Sequence, residues 1–304
     1  MTPLQLLLQQ LANGLTLGAI YALVALGYTM VYGVLQMINF AHGEVFMVGA
    51  YLALSVVFSV TWATPEPTGA AWLFLMIAVA GAGCGTLGLL IERVAYRPLR
   101  NSPKLSVLIT AIGVSFFLQN AVMLSCGARD RYVPAMLPVR HWGTGSVAVT
   151  PMQGVIFIVS LLLMAGLQWL VHGTKLGRGM RAVAQDPLAA RLMGIPVDWV
   201  IAVTFAIGSA LAGVGGVLFG VHYSTINFHD GYLTGLKAFT AAVLGGIGNL
   251  PGAMLGGLLL GLLEGLAAGY ISAQWKNVFA FAVLILVLLI RPHGLLGERL
   301  AERA

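Results

Sequence analysis

An amide, an imidazole and a carboxylate interrupt two strongly apolar stretches in Asn39-Phe-Ala-His-Gly-Glu44. With Glu264, Glu44 is one of two acidic residues that fall in or beside apolar runs. A carboxylate inside a membrane costs roughly 2.5–3.5 kcal/mol on insertion scales, so each must pair, be protonated or meet water. His42 beside Glu44 could form a proton relay, the chemistry of a secondary transporter. Asn39 and Gly43 instead suit a helix break that positions a gate, since broken helices at membrane depth are tolerated only beside protein or a water-filled cavity. Asn249 and Pro251 close a glycine-rich stretch and form a second candidate break. Asn39, His42, Glu44, Asn249 and Glu264 are therefore the pathway or gate candidates.

Catalytic chemistry has no visible machinery. The sequence holds no G-x-S-x-G elbow, no H-E-x-x-H pair and no G-x-x-x-x-G-K-[ST] phosphate loop; Gly173-Thr-Lys-Leu-Gly-Arg-Gly179 lacks both its spacing and its terminal hydroxyl. His141, His172 and His293 fall in loops and His222 and His229 flank an apolar end, which gives no metal-ligand cluster. Cys84 and Cys126 lack disulfide spacing and read as packing residues. Neither a catalytic residue nor a metal ligand is expected.

The elements that must hold these residues follow from composition. Of 304 residues 59% are hydrophobic and 9% charged, far below the roughly one quarter charged of soluble domains. The expectation is a single all-α, polytopic membrane domain over residues 1–304. Runs of about 20 apolar residues lie near 12–35, 40–60, 71–91, 104–125, 151–171, 199–221, 250–270 and 275–291. That predicts about eight transmembrane helices, with 235–248 as a further half-helix or short span. No basic leader precedes the first run, so no cleaved signal peptide is expected.

The net charge of +6 belongs to loops rather than to a nucleic-acid surface. Arg93, Arg97, Arg100 and Lys104 form one basic loop, Lys175, Arg178, Arg181 and Arg191 another, and Arg291, Arg299 and Arg303 the tail. Positive-inside bias places all three on the cytoplasmic side. Arg129, Arg131 and Arg140 then face outward against that bias, and three runs before the first basic loop put the N-terminus outside unless one of them is broken. A faint echo between Arg93-Val-Ala-Tyr-Arg-Pro-Leu99 and Arg181-Ala-Val-Ala-Gln-Asp-Pro-Leu188 would fit a transporter built from related halves; chance similarity explains it equally well.

Within the loop at about 172–198, Asp186 is a helix cap, Pro187 suits the first helical position and Gly194 suits a left-handed end. The helix between them, about two turns, is too short to stand alone in water. It needs a surface, either its own bundle or a partner. Ala184, Ala189 and Ala190 would permit close approach, and Leu188, Leu192 and Met193 offer apolar knobs.

Ala184-x-Asp186, Ala189-Ala190 and Gly194-Ile195 resemble the coupling-helix loop of ABC importer permeases. Asn39-Phe-Ala-His-Gly-Glu44 and Gly245-Gly-Ile-Gly-Asn-Leu-Pro-Gly-Ala253 are similar to segments of the LivH-like permeases of branched-chain amino acid uptake systems, and the similarity covers essentially the whole chain. The resemblance implies an inner-membrane subunit with no ATPase or cofactor of its own. ATP and Mg would bind two separate cytoplasmic subunits, a second related permease would complete the pore, and a periplasmic binding protein would deliver substrate. It implies a docking face of Ala189, Ala190 and Gly194, with Asp186 setting the helix start. Gln185 departs from the acidic residue expected of the importer motif. Related permeases also serve urea, short amides and aromatic acids, so the resemblance specifies the cargo less closely than the family. A self-sufficient secondary transporter or channel is the rival.

Gly257, Gly261, Gly265 and Gly269 recur every fourth residue along one apolar run, a stripe on which another helix can rest backbone to backbone. Packing within the bundle is expected ahead of a subunit interface. Gly216 with Gly220, and Gly81 with Gly85, invite the same reading.

Overall fold

The computed structural model describes residues 2–61, 69–100, 102–137, 148–291 and 293–297; Arg140, His141, Arg299 and Arg303 lie outside them. The elements are α1 (Pro3–Leu35), α2 (His42–Thr61), α3 (Ala70–Ile91), α4 (Lys104–Cys126), β1 (Arg131–Tyr132), α5 (Pro151–Gly173), α6 (Lys175–Gln185), α7 (Pro187–Leu192), α8 (Val197–Tyr223), β2 (Thr225–Ile226), α9 (Asp230–Gly245), α10 (Leu250–Tyr270) and α11 (Lys276–Ile290). Among the described residues, 8 helices are long and apolar enough to cross a membrane, as the apolar runs predict.

Helix α1 begins well before the run expected from residue 12. Thr2 accepts from Gln5 N while the Gln5 side chain accepts from Thr2 N, and Pro3 occupies the first turn. This reciprocal capping satisfies end amides that hydropathy does not register. The apolar core is built around α1, whose residues from Ala19 to Val31 are all buried, whereas α4 and α11 are mostly exposed at the periphery.

Two sets of contacts define the ends of the bundle. Gln9 Nε2 donates to the Ala148 carbonyl at 3.1 Å, and β1 pairs with β2 in antiparallel register, Arg131 opposite Ile226. The starts of α1 and α5 and the end of α8 therefore share one end. At the other, Asp198 accepts from Arg97 and Arg100 at 2.7 and 2.6 Å. By positive-inside bias the arginine-rich second end is the one expected to face the cytoplasm, with the start of α1 outside. Arg131, outward against the charge bias, donates to the Cys126 carbonyl at 3.0 Å and so caps the C-terminus of α4.

The glycine stripe of α10 lies against α1. A methyl at Gly18 would come 2.8 Å from Leu258 Cα, and one at Gly265 would come 2.9 Å from Gly14 Cα. Gly257 abuts Ala22, Gly261 abuts Gly18 and Gly269 abuts Gln10, so the stripe is internal packing rather than a subunit interface. Gly216 likewise receives the backbone of α2 at Phe46, and Gly85 faces α8.

The two halves of the basic-loop echo differ locally. Residues 92–96 extend α3 as a π-helical turn, whereas residues 181–185 end α6 before the extended Asp186.

Candidate functional site

On the cytoplasmic end, the predicted cap chemistry builds α7. Asp186 Oδ1 accepts from Leu188 N at 2.8 Å and Ala189 N at 3.1 Å, Pro187 follows, and Gly194 turns the chain with φ 80°. The helix has 6 residues, shorter than the two turns expected. Its orientation corrects the expected docking face: Ala190 is 4% exposed and packs inward, where its carbonyl accepts from Ile195 N at 3.0 Å. Ala189 and Gly194 are exposed, Ala184 and Ile195 half-buried, and the outward surface is made by Leu188, Leu192 at 82% and Met193 at 81%. Asp198, at the start of α8, ties this loop to the neighbouring basic one through Arg97, Arg100 and, at 3.5 Å, Arg191. Arg100 also pairs with the buried Glu92, a third carboxylate enclosed by the bundle that loop composition concealed.

The break predicted around Asn39 lies between α1 and α2. Gln36 ends α1 in the left-handed region with φ 53°, and residues 36–41 are non-helical. Asn39 Oδ1 accepts from Ala41 N at 3.1 Å and from the Tyr96 hydroxyl at 2.8 Å, holding the turn inside protein. His42 packs against Gly27, which in turn lies on Gly208. Gly208 is 11 residues beyond the start of α8 at Val197, about 16 Å along a helix at 1.5 Å per residue, close to its midpoint. Helix α2 thus starts deep in the bundle and rises toward the outer end.

Helix α9 is its counterpart. With 16 residues it is about 24 Å long, shorter than the roughly 30 Å hydrocarbon core, in keeping with the expected half-helix or short span. It runs from Asp230 rather than from about 235. Its first turns cross the start of α2 in backbone contact: a methyl at Gly235 would lie 2.7 Å from Gly43 Cα.

At that crossing sits Glu44, 1% exposed, in the first turn of α2. Its Oε1 accepts from Ser115 Oγ of α4 at 3.4 Å, while Oε2 has no hydrogen-bond partner. One turn along α4, Gln119 Nε2 lies 3.1 Å from His229 Nδ1. On the cytoplasmic side, Tyr28 packs edge-on against His42 at 4.6 Å and Phe239 at 6.2 Å, with Phe40 at 6.0 Å from Phe239. These rings form an aromatic cluster, with Phe40 and Phe239 half-buried. His42 makes no hydrogen bond to Glu44 among the described residues, so the two do not form the relay their adjacency suggested.

The other two gate candidates have structural partners. Glu264 is 2% exposed; Tyr21 donates to its Oε2 at 2.6 Å and Lys237 of α9 forms an ion pair with its Oε1. Asn249 caps α10 by accepting from Gly252 N at 3.0 Å and donates to the Leu296 carbonyl at 2.8 Å. It is a cap at the cytoplasmic end, removed from Glu44. Lys237 escaped sequence reading; the available signal was a lone cation entering the glycine-bounded apolar stretch that also holds Gly245. Among the described residues no group of His, Cys, Asp and Glu could hold a metal ion.

The family model described as branched-chain amino acid transport system / permease component matches residues 10–288. The chain is 49% identical over 302 residues to the high-affinity branched-chain amino acid transport system permease protein LivH of Escherichia coli K12, covering 97% of each. It is 50% identical over 302 residues to BraD of Pseudomonas aeruginosa, a permease protein of the same description, again covering 97% of each. A probable branched-chain amino acid transport permease of Methanocaldococcus jannaschii is 28% identical over 289 residues, 90% of this chain and 88% of that one.

Proposed function

The chain belongs to the family of branched-chain amino acid transport system permease components, and from that premise we propose that it forms one half of the membrane pathway of an ATP-driven importer. The cargo is a branched-chain or other small amino acid, and the membrane is the bacterial inner membrane. A second, related permease completes the pathway, two cytoplasmic subunits bind ATP and Mg, and a periplasmic binding protein supplies substrate.

The observation that carries this reading is α7: a short, deliberately capped helix on the cytoplasmic end that exposes Leu188, Leu192 and Met193 to no partner within its own bundle. Exposed apolar side chains on an otherwise polar end suit a protein contact. Closure of the ATPases would push α7, and the Asp198 ion pairs would pass that displacement to the cytoplasmic ends of α3 and α8. Proton-driven transport through His42 and Glu44 is the weaker reading because no hydrogen bond links them.

Purification of the chain from its native membrane in mild detergent tests the assembly. Two ATP-binding subunits and a second permease should be recovered with it, and Leu192→Asp should lose the ATPases and ATP-driven uptake while inserting normally. Leu192→Asp is a cleaner probe than a charge at Ala190, which would disturb packing. Recovery of the chain alone, with gradient-driven uptake after reconstitution, would overturn the importer reading.

A further inference from the structure

We propose that Glu44 Oε2 is the resting point for the α-amino group of the transported amino acid, at the crossing of α2, α4 and α9. The inference rests on the amino acid importer reading above and adds to it a site and an orientation of the cargo.

Four observations converge. The carboxylate is enclosed, yet one of its oxygens has no partner. An enclosed acceptor without a partner is costly, and a donor brought by the cargo would relieve that cost. That oxygen abuts Gly231, the second residue of α9: a methyl there would come within 2.5 Å of it. A larger residue at 231 would collide with the carboxylate and with the backbone of α2 at Gly43.

Second, α9 starts without a side-chain hydrogen bond from its N-cap, His229. The Asp230 amide donates to the Asn227 carbonyl at 3.1 Å, which leaves the amides of Gly231 and Tyr232, on the turn that also carries the Asp230 carboxylate, at the positive end of the helix dipole beside Glu44. A zwitterion placed here sets its ammonium on Glu44 and its carboxylate toward those amides. Short helices ending at the membrane midplane serve this purpose in transporters.

Third, a file of polar groups leads to this point from the outer end. Asn227 Nδ2 donates to Asp130 at 2.6 Å, Asn227 N donates to Asp230 at 2.6 Å, His229 lies against Gln119, and Ser115 donates to Glu44. Ser115 and Gln119 are one turn apart on α4 and so share the face turned to α9. Fourth, beyond Glu44 on the cytoplasmic side the polar file gives way to the aromatic rings of Tyr28, Phe40 and Phe239. The second buried carboxylate, Glu264, has a partner on each oxygen.

The test uses the complete importer in proteoliposomes with its binding protein. Glu44→Gln keeps shape and removes charge; ATP-driven leucine uptake should fall by roughly tenfold or more, as expected when a charge-assisted contact to the moving substrate is lost, and Glu44→Asp should recover part of it. In parallel, the wild-type complex is treated with dicyclohexylcarbodiimide, which modifies enclosed carboxyl groups, and the Glu44 peptide is quantified by mass spectrometry. Leucine should slow modification by roughly threefold or more, the protection expected when most sites are occupied, and 4-methylpentanoate, which lacks the amino group, should not. Normal uptake by Glu44→Gln, or equal protection by the two compounds, or protection by neither, overturns the inference. If Glu44→Gln fails to assemble, the labelling result on the wild-type chain decides. Absence of ATP-driven leucine uptake by the wild-type complex would instead overturn the importer reading.

Discussion

Glu44 and Glu264 are carboxylates of the same bundle, both enclosed and both facing α9, yet they are furnished differently. Glu264 is saturated by Lys237 and Tyr21 and joins α9, α10 and α1 at one point. Glu44 has one long hydrogen bond from Ser115 and an empty oxygen at the start of the same α9. Burial is common to both and does not tell a pin from a site. The number of occupied lone pairs does, because a buried acceptor is stable only when its hydrogen bonds are met. One short helix thus has a fixed point in its middle and an unpartnered carboxylate oxygen at its first turn.

The comparison breaks most readily at Lys237. Lys237→Met leaves Glu264 buried without its counter-charge and should destabilise the chain by about 3–5 kcal/mol, whereas Lys237→Met with Glu264→Leu should recover much of that loss. Thermal unfolding in detergent, followed by size-exclusion fluorescence, measures both; equal melting of single and double variants would show that the pair is not a pin. Gly261→Leu should cost about 1–3 kcal/mol by forcing α10 off the backbone of α1 at Gly18. A stable, assembled Gly261→Leu chain would contradict the close α1–α10 seam.

Removal of single hydrogen bonds sharpens the contrast. Tyr21→Phe removes one hydrogen bond to a charged group and should lower stability by about 1.5–3 kcal/mol if the bond is worth its usual amount, with uptake falling only in proportion to folded protein. Asp186→Ala should cost about 1 kcal/mol locally by uncapping α7, seen as faster amide exchange at Leu188 and Ala189 and weaker ATPase retention. Ser115→Ala removes a 3.4 Å contact and should leave melting within about 0.5 kcal/mol of wild type while reducing uptake. A melting loss at Ser115 as large as that at Tyr21 would make Glu44 a second structural pin.

Much of this was legible in order along the chain. Apolar runs of bilayer length specified the spans, because lipid leaves a crossing segment little choice but a helix. Asp186, Pro187 and Gly194 specified α7, because capping and left-handed turns are decided within a few residues. The glycines before Asn249 announced a half-helix, and the four-residue stripe announced a close seam. The same local rules misled where a residue had a distant partner: Asn249 and Glu264 looked like gate residues until a cap and an ion pair accounted for them.

What the sequence determined by itself, then, was which segments are helical, where the caps of α7 fall, and which polar residues must find a partner. Only the tertiary structure decided who those partners are. Tyr21 and Glu264 are 243 positions apart, Lys237 and Glu264 27 apart on different helices, and Arg97 and Asp198 101 apart. No local propensity carries that information. The inward turn of Ala190, the depth at which α2 starts and the empty oxygen of Glu44 arise from the same source, the packing of helices whose apolar faces fit one another in more ways than periodicity can rank.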